Sequence, residues 1–168
     1  MELPAVTDKG QAQMTALKSR IKFNLYLLKN LPAAWFIGCA VDEIDEQRCV
    51  IRLPYRWSSK NPFRSIYFAA QCAAAELSTG LPAAVAITGK PSTSMLLVGI
   101  ETKFLKKADS VSTFICEDNS LAQEKINETI KTGEGQTFTM ISTGYNAANE
   151  IISESRVTWS VKKRRSKK

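Results

Sequence analysis

Asn61-Pro62-Phe63-Arg64-Ser65-Ile66-Tyr67-Phe68-Ala69-Ala70-Gln71-Cys72-Ala73-Ala74-Ala75-Glu76-Leu77-Ser78-Thr79-Gly80 is the stretch on which the fold turns. Asn61 suits a helix N-cap, Pro62 the first helical position and Gly80 the helix end, so the spacing predicts one helix across the segment. Its body is rich in alanine, and short side chains let a sheet approach closely from every side. The expectation is a central, buried helix. One charged group interrupts its body. At about 100° per residue, Glu76 falls between Ala69 on one side and Ser65 and Cys72 on the other, on a face without other charges. A carboxylate placed there is either partnered and buried or lines a cavity, and such groups are candidate general bases or nucleophiles.

Outward from this helix the pattern alternates between helix and strand. Met14, Leu17, Ile21, Leu25 and Leu28 recur at three- and four-residue steps, which predicts one N-terminal helix over residues 11–31, closed by Pro32 and packed on the edge of the domain. Trp35 to Ile44 and Arg48 to Tyr55 read as strands joined by the polar turn Asp45-Glu46-Gln47. Beyond a predicted loop, Leu81 to Thr93, two further strands are expected at Ser94 to Leu105 and Val111 to Glu117. A short helix, Leu121 to Thr132, leads to the last strands, Gln136 to Tyr145 and Ile151 to Val161. The last alternates Val157, Trp159 and Val161 against Arg156, Thr158 and Ser160. Strand, strand, central helix and four more strands make an α+β fold with an antiparallel sheet.

The 168 residues suffice for one domain. Residues 1–10 read as a flexible N-terminus, 11–161 as the domain and 162–168 as a basic tail. The net charge of +7 is concentrated: Lys162, Lys163, Arg164, Arg165, Lys167 and Lys168 supply six of the 23 positive charges, leaving 17 against 16 negative. A nearly neutral body speaks against nucleic acid as a partner, while the tail offers contact with anionic polymers or membrane surfaces. Cys39, Cys49, Cys72 and Cys116 form no CxxC pair and read as reduced core thiols. No secretory signal is visible, and Lys29, Asn30 and Pro32 break the apolar run from Leu25 to Val41, so no membrane span is expected and a cytoplasmic location is. The chain contains no histidine, which excludes Ser-His-Asp and Cys-His catalysis and histidine metal sites. No metal and no cofactor is called for.

With Asn61 before the helix and an acid late in it, the segment resembles the hotdog thioesterases of the phenylacetate pathway and related uncharacterised thioesterase-like families, over roughly residues 33–162. The resemblance implies a curved antiparallel sheet of about six strands wrapped around the helix, and hydrolysis of an acyl-CoA thioester. Glu76 would activate water or attack the carbonyl, and Asn61 would hold the carbonyl or the water. Asn61 also fits a plain helix cap. Where active relatives carry His-Gly-Gly at the helix start this chain has Tyr67-Phe68-Ala69, so a non-catalytic module binding acyl or lipid ligands is the alternative. Ser65, Tyr67, Phe68 and Cys72 are the candidate substrate-binding residues, although small helix residues at a packed interface explain Ser65 and Cys72 better, and aromatic packing explains Tyr67 better. Lys106, Lys107 and the tail are candidate contacts for coenzyme A phosphates. Hotdog domains pair edge to edge, so a homodimer or dimer of dimers is expected.

Overall fold

The structure is a computed structural model and describes residues 5–164. Three short helices open the chain: α1 (Asp8–Lys18), α2 (Arg20–Asn30) and α3 (Pro32–Ile37). The hairpin β1 (Ala40–Ile44) and β2 (Cys49–Leu53) precedes the central helix α4 (Phe68–Ile87). Then follow β3 (Thr93–Phe104), β4 (Ser112–Cys116), α5 (Asn119–Thr132), β5 (Gln136–Tyr145) and β6 (Ile151–Lys163). The six strands form one antiparallel sheet in the order β1-β2-β4-β5-β6-β3. Helix α4 touches every strand from β2 to β6, so the sheet curls around it, the hotdog arrangement. Its buried Ala70, Ala74, Ala75, Leu77 and Leu81 join one core cluster, and Ala83 and Ala86 join another with Trp159 and Met140.

Four elements differ from the sequence reading. The single helix over 11–31 is two helices, because Ser19 between them is extended (φ −75°, ψ 114°). In an unbroken helix Phe23 would point about 180° away from Met14. The break at Ser19 lets Met14, Leu17, Phe23 and Leu27 all enter the same core. Helix α1 also starts before residue 11, with the Thr7 hydroxyl accepting from the Gly10 amide and donating to the Thr88 carbonyl at 2.7 Å, while Lys90 Nζ holds the Ala5 carbonyl at 2.8 Å. Residues 5–10 are therefore held against the domain.

The expected first strand, Trp35 to Ile44, starts as helix and is strand only from Ala40. Pro32 opens α3 and Gly38, at φ +83°, closes it with its amide on the Ala34 and Trp35 carbonyls. Helix α4 neither begins at Pro62 nor ends at Gly80. Asn61 closes a turn instead of a helix: its Oδ1 accepts from the amides of Phe63 at 3.0 Å and Ser65 at 3.1 Å, with Arg64 left-handed at φ 59°. Past Gly80 the helix continues through Pro82 to Ile87, across much of the expected loop. A side chain at Gly80 would put its Cβ 2.9 Å from Glu76 Oε1 and 3.0 Å from the Trp159 ring, so this glycine serves close packing. At the other end β6 takes in Lys162 and Lys163, and the Arg164 amide donates to the Ser92 carbonyl at 2.8 Å. The basic segment is thus partly strand, and residues 165–168 lie outside those described.

Candidate functional site

Glu76 stands about two turns into α4 and is half-buried. Its neighbours are Gly80 and, beyond it, the ring of Trp159, whose indole N–H donates to Thr79 Oγ1 at 3.0 Å. The carboxylate is half-buried and, among the described residues, has no hydrogen-bond or salt-bridge partner. Burial among apolar neighbours therefore pushes its pKa up, because the charged form loses water and gains no donor. Its charge also reaches Cys39, where burial, helped by Glu76, pushes the thiol up to about 12 despite the opposing effect of Arg56.

The other candidates gather elsewhere. Asn61, Ser65, Tyr67 and Phe68 line a cavity of about 690 Å³ together with Phe104 and Lys106. Its aromatic wall is built edge to face: Tyr67 and Phe68 ring centres lie 4.7 Å apart and Phe68 and Phe104 6.4 Å apart. The Asn61 amide nitrogen donates to Ser65 Oγ at 3.0 Å, so both ends of its carboxamide are engaged with its own turn. The amides of Phe68 and Ala69, first in the helix, have no intrahelical acceptor. Phe68 itself lines this cavity. Cys72 lies one turn before Glu76 and faces β3, its Sγ 3.6 Å from Thr102 Oγ1, which in turn meets Ser155 Oγ at 2.9 Å.

About 12 Å of helix separates Phe68 from Glu76, and Glu76 is not among the residues lining the cavity. One chain thus places the carboxylate on α4 and the Asn61 turn ahead of that helix, without joining them. The sequence reading named this cavity's Lys106 but passed over Phe104 and Gln71. Gln71 is buried, its Nε2 donating to the Ile66 carbonyl at 3.3 Å and its Oε1 left unpaired. A buried glutamine in an alanine run was the signal available for it.

All four cysteines are free. Cys39, Cys49 and Cys116 are core thiols whose pKa burial raises, while Cys72 is only half-buried. Among the described residues no three Cys, Asp or Glu side chains gather to hold a metal ion, and no helix is long and apolar enough to cross a membrane.

Solved structures share this architecture at low sequence identity. A protein of unknown function from Chlorobaculum tepidum superposes with a TM-score of 0.73 at 12% identity, covering 89% of this chain and 99% of its own. One from Pseudomonas aeruginosa, described as a probable thioesterase, gives 0.69 at 12% identity, covering 87% and 97%. A Staphylococcus aureus thioesterase gives 0.60 at 17% identity, covering 82% and 98%. No curated protein matches the chain significantly in sequence. Residues 20–161 match the family model described as Domain of unknown function (DUF4442). With that match spanning most of its length, and with a hotdog sheet wrapped around α4, the chain belongs to the DUF4442 family.

Proposed function

We propose that this protein hydrolyses an acyl thioester of coenzyme A, with Glu76 as general base or nucleophile. The observation that carries the reading is the Glu76 carboxylate, half-buried and unpaired on the central helix of a hotdog fold, its pKa raised by desolvation. A spacing supports it. In the S. aureus thioesterase a glutamine, and a glutamate fifteen residues further along, have each been replaced by alanine. Asn61 and Glu76 are also fifteen residues apart. Since one chain keeps these two groups apart, the active unit is a homodimer, or a dimer of dimers, in which Glu76 of one subunit meets the Asn61 turn of the other. The thioester carbonyl would lie beside the free amides of Phe68 and Ala69, with Ser65, Tyr67, Phe68 and Cys72 around the acyl group. Four unpaired thiols fit a reducing, cytoplasmic setting.

The test is thiol release from a panel of acyl-CoA esters. Glu76→Ala and Glu76→Gln should each lower kcat/KM by roughly 10²- to 10⁴-fold, the span of general acid–base catalysis. Rates equal to wild type would sink the assignment. A second reading, a module that binds acyl ligands without turnover, is favoured by the engagement of the Asn61 carboxamide within its own turn. Saturable binding of acyl-CoA with no thiol released would select it.

A further inference from the structure

Helix α2 carries two apolar faces. Phe23 and Leu27 are buried in the core. At 3.6 residues per turn, Ile21, Leu25 and Leu28 fall within about 60° of one another on the far side of the helix. They face water: Ile21 is 75% exposed and Leu25 61%. By the same geometry Lys22 and Lys29 flank this stripe on one side and Arg20 and Asn24 on the other. The Arg20 edge opens into a groove of about 600 Å³, walled by Trp35, Phe36 and Trp57 and floored by Gly38 and Cys39. Trp57, 82% exposed, leans edge-on against Phe36 at 5.9 Å.

The unpaired charges around these surfaces are of one sign. In the groove the Arg56 guanidinium is held by the Phe36 carbonyl at 2.8 Å and Ser58 Oγ at 2.9 Å, neither of which neutralises it. Asp42 pairs with Arg52 at 2.9 Å. Among the described residues, Arg20, Lys22, Lys29 and Arg56 have no carboxylate partner. The sequence has no acid from Lys9 to Val41 and five Lys or Arg there. A second copy docked through this face by two-fold symmetry would set these cations against themselves. An anionic partner relieves the charge, and only an apolar one covers the stripe.

A leucine-rich stripe bordered by lysines and rimmed by tryptophan suits the boundary between lipid headgroups and acyl chains. Guanidiniums in the adjoining groove suit phosphodiesters. We propose that this face docks on an anionic phospholipid surface. Helix α2 lies flat, with Ile21, Leu25 and Leu28 below the headgroups, and the groove takes headgroup phosphates. The inference is independent of the thioesterase reading, since neither surface includes Glu76 or Asn61.

Co-sedimentation of the full chain with phosphatidylcholine vesicles, with and without phosphatidylglycerol, tests it. Binding should require phosphatidylglycerol and weaken as salt is raised. Leu25→Glu should reduce partitioning roughly tenfold, and Lys22→Ala and Lys29→Ala about fivefold each. Unchanged circular dichroism would show that these exposed substitutions leave the fold intact. No binding to phosphatidylglycerol vesicles, equal binding to neutral ones, or undiminished binding by Leu25→Glu would overturn the proposal. So would a lower assembly mass for Leu25→Glu in light scattering, which would give the face to a second copy.

Discussion

Glu76 is the residue at which folding and chemistry oppose each other. In the unfolded chain its carboxyl ionises near the ordinary value of 4.5, and burial raises this in the folded chain. Between the two values the folded state binds the extra proton. Stability from this group is therefore present below the ordinary value and is lost as pH rises through the raised one. Glu76→Gln keeps the shape without the charge. It should melt above wild type at pH 8 and converge with it near pH 4, as read by Tm across that range; a constant difference would mean that the carboxylate is fully solvated. Sequence reasoning found Glu76 because a lone charge on an apolar helical face stands out whatever surrounds it. It left the role of Asn61 open between cap and site, and the turn explains why: an Asx side chain caps a tight turn with the same bonds it would use on a helix, and only the position of the next hydrogen-bonded turn separates the two.

At the scale of elements, Gly80 shows how a stop signal is overridden. Gly80→Ala would gain about 1 kcal/mol of helix propensity. Its new methyl would press on the buried Trp159 ring at 3.0 Å, and overpacking costs about 1–3 kcal/mol. The net expectation is a loss of about 1 kcal/mol, a Tm lower by roughly 2–4 °C. A higher Tm would show that the ring gives way freely. The same contest between local signal and packing split the first helix at Ser19. The three- and four-residue spacing of Met14, Leu17, Ile21, Leu25 and Leu28 is real. The core took Phe23 and Leu27 in preference to the second half of that stripe and left Ile21, Leu25 and Leu28 outside.

For the whole molecule the sheet edges matter. The outer side of β3 pairs with no other strand among the described residues, and Leu96, Val98 and Ile100 are exposed along it. Such an edge is a template for pairing. If two copies join through it, light scattering should give twice the chain mass, and Leu96→Lys combined with Ile100→Lys should return a single chain mass and lower acyl-CoA turnover together. A wild-type monomer with full activity would separate the site from assembly. The lipid-docking face lies by β1, at the opposite end of the sheet from β3, so pairing and docking do not compete.

By itself the sequence determined the order of strands around an alanine-rich helix and the one acid that helix carries. Alternation, alanine content and a lone charge are local properties that survive in any context. Tertiary structure decided where helices begin, end and break, because caps and glycines are weak signals, on the order of 1 kcal/mol. Burying Phe23, or fitting Trp159 against Gly80, outweighs them. It also decided which apolar residues stay in the water, which no periodicity in a single helix can tell.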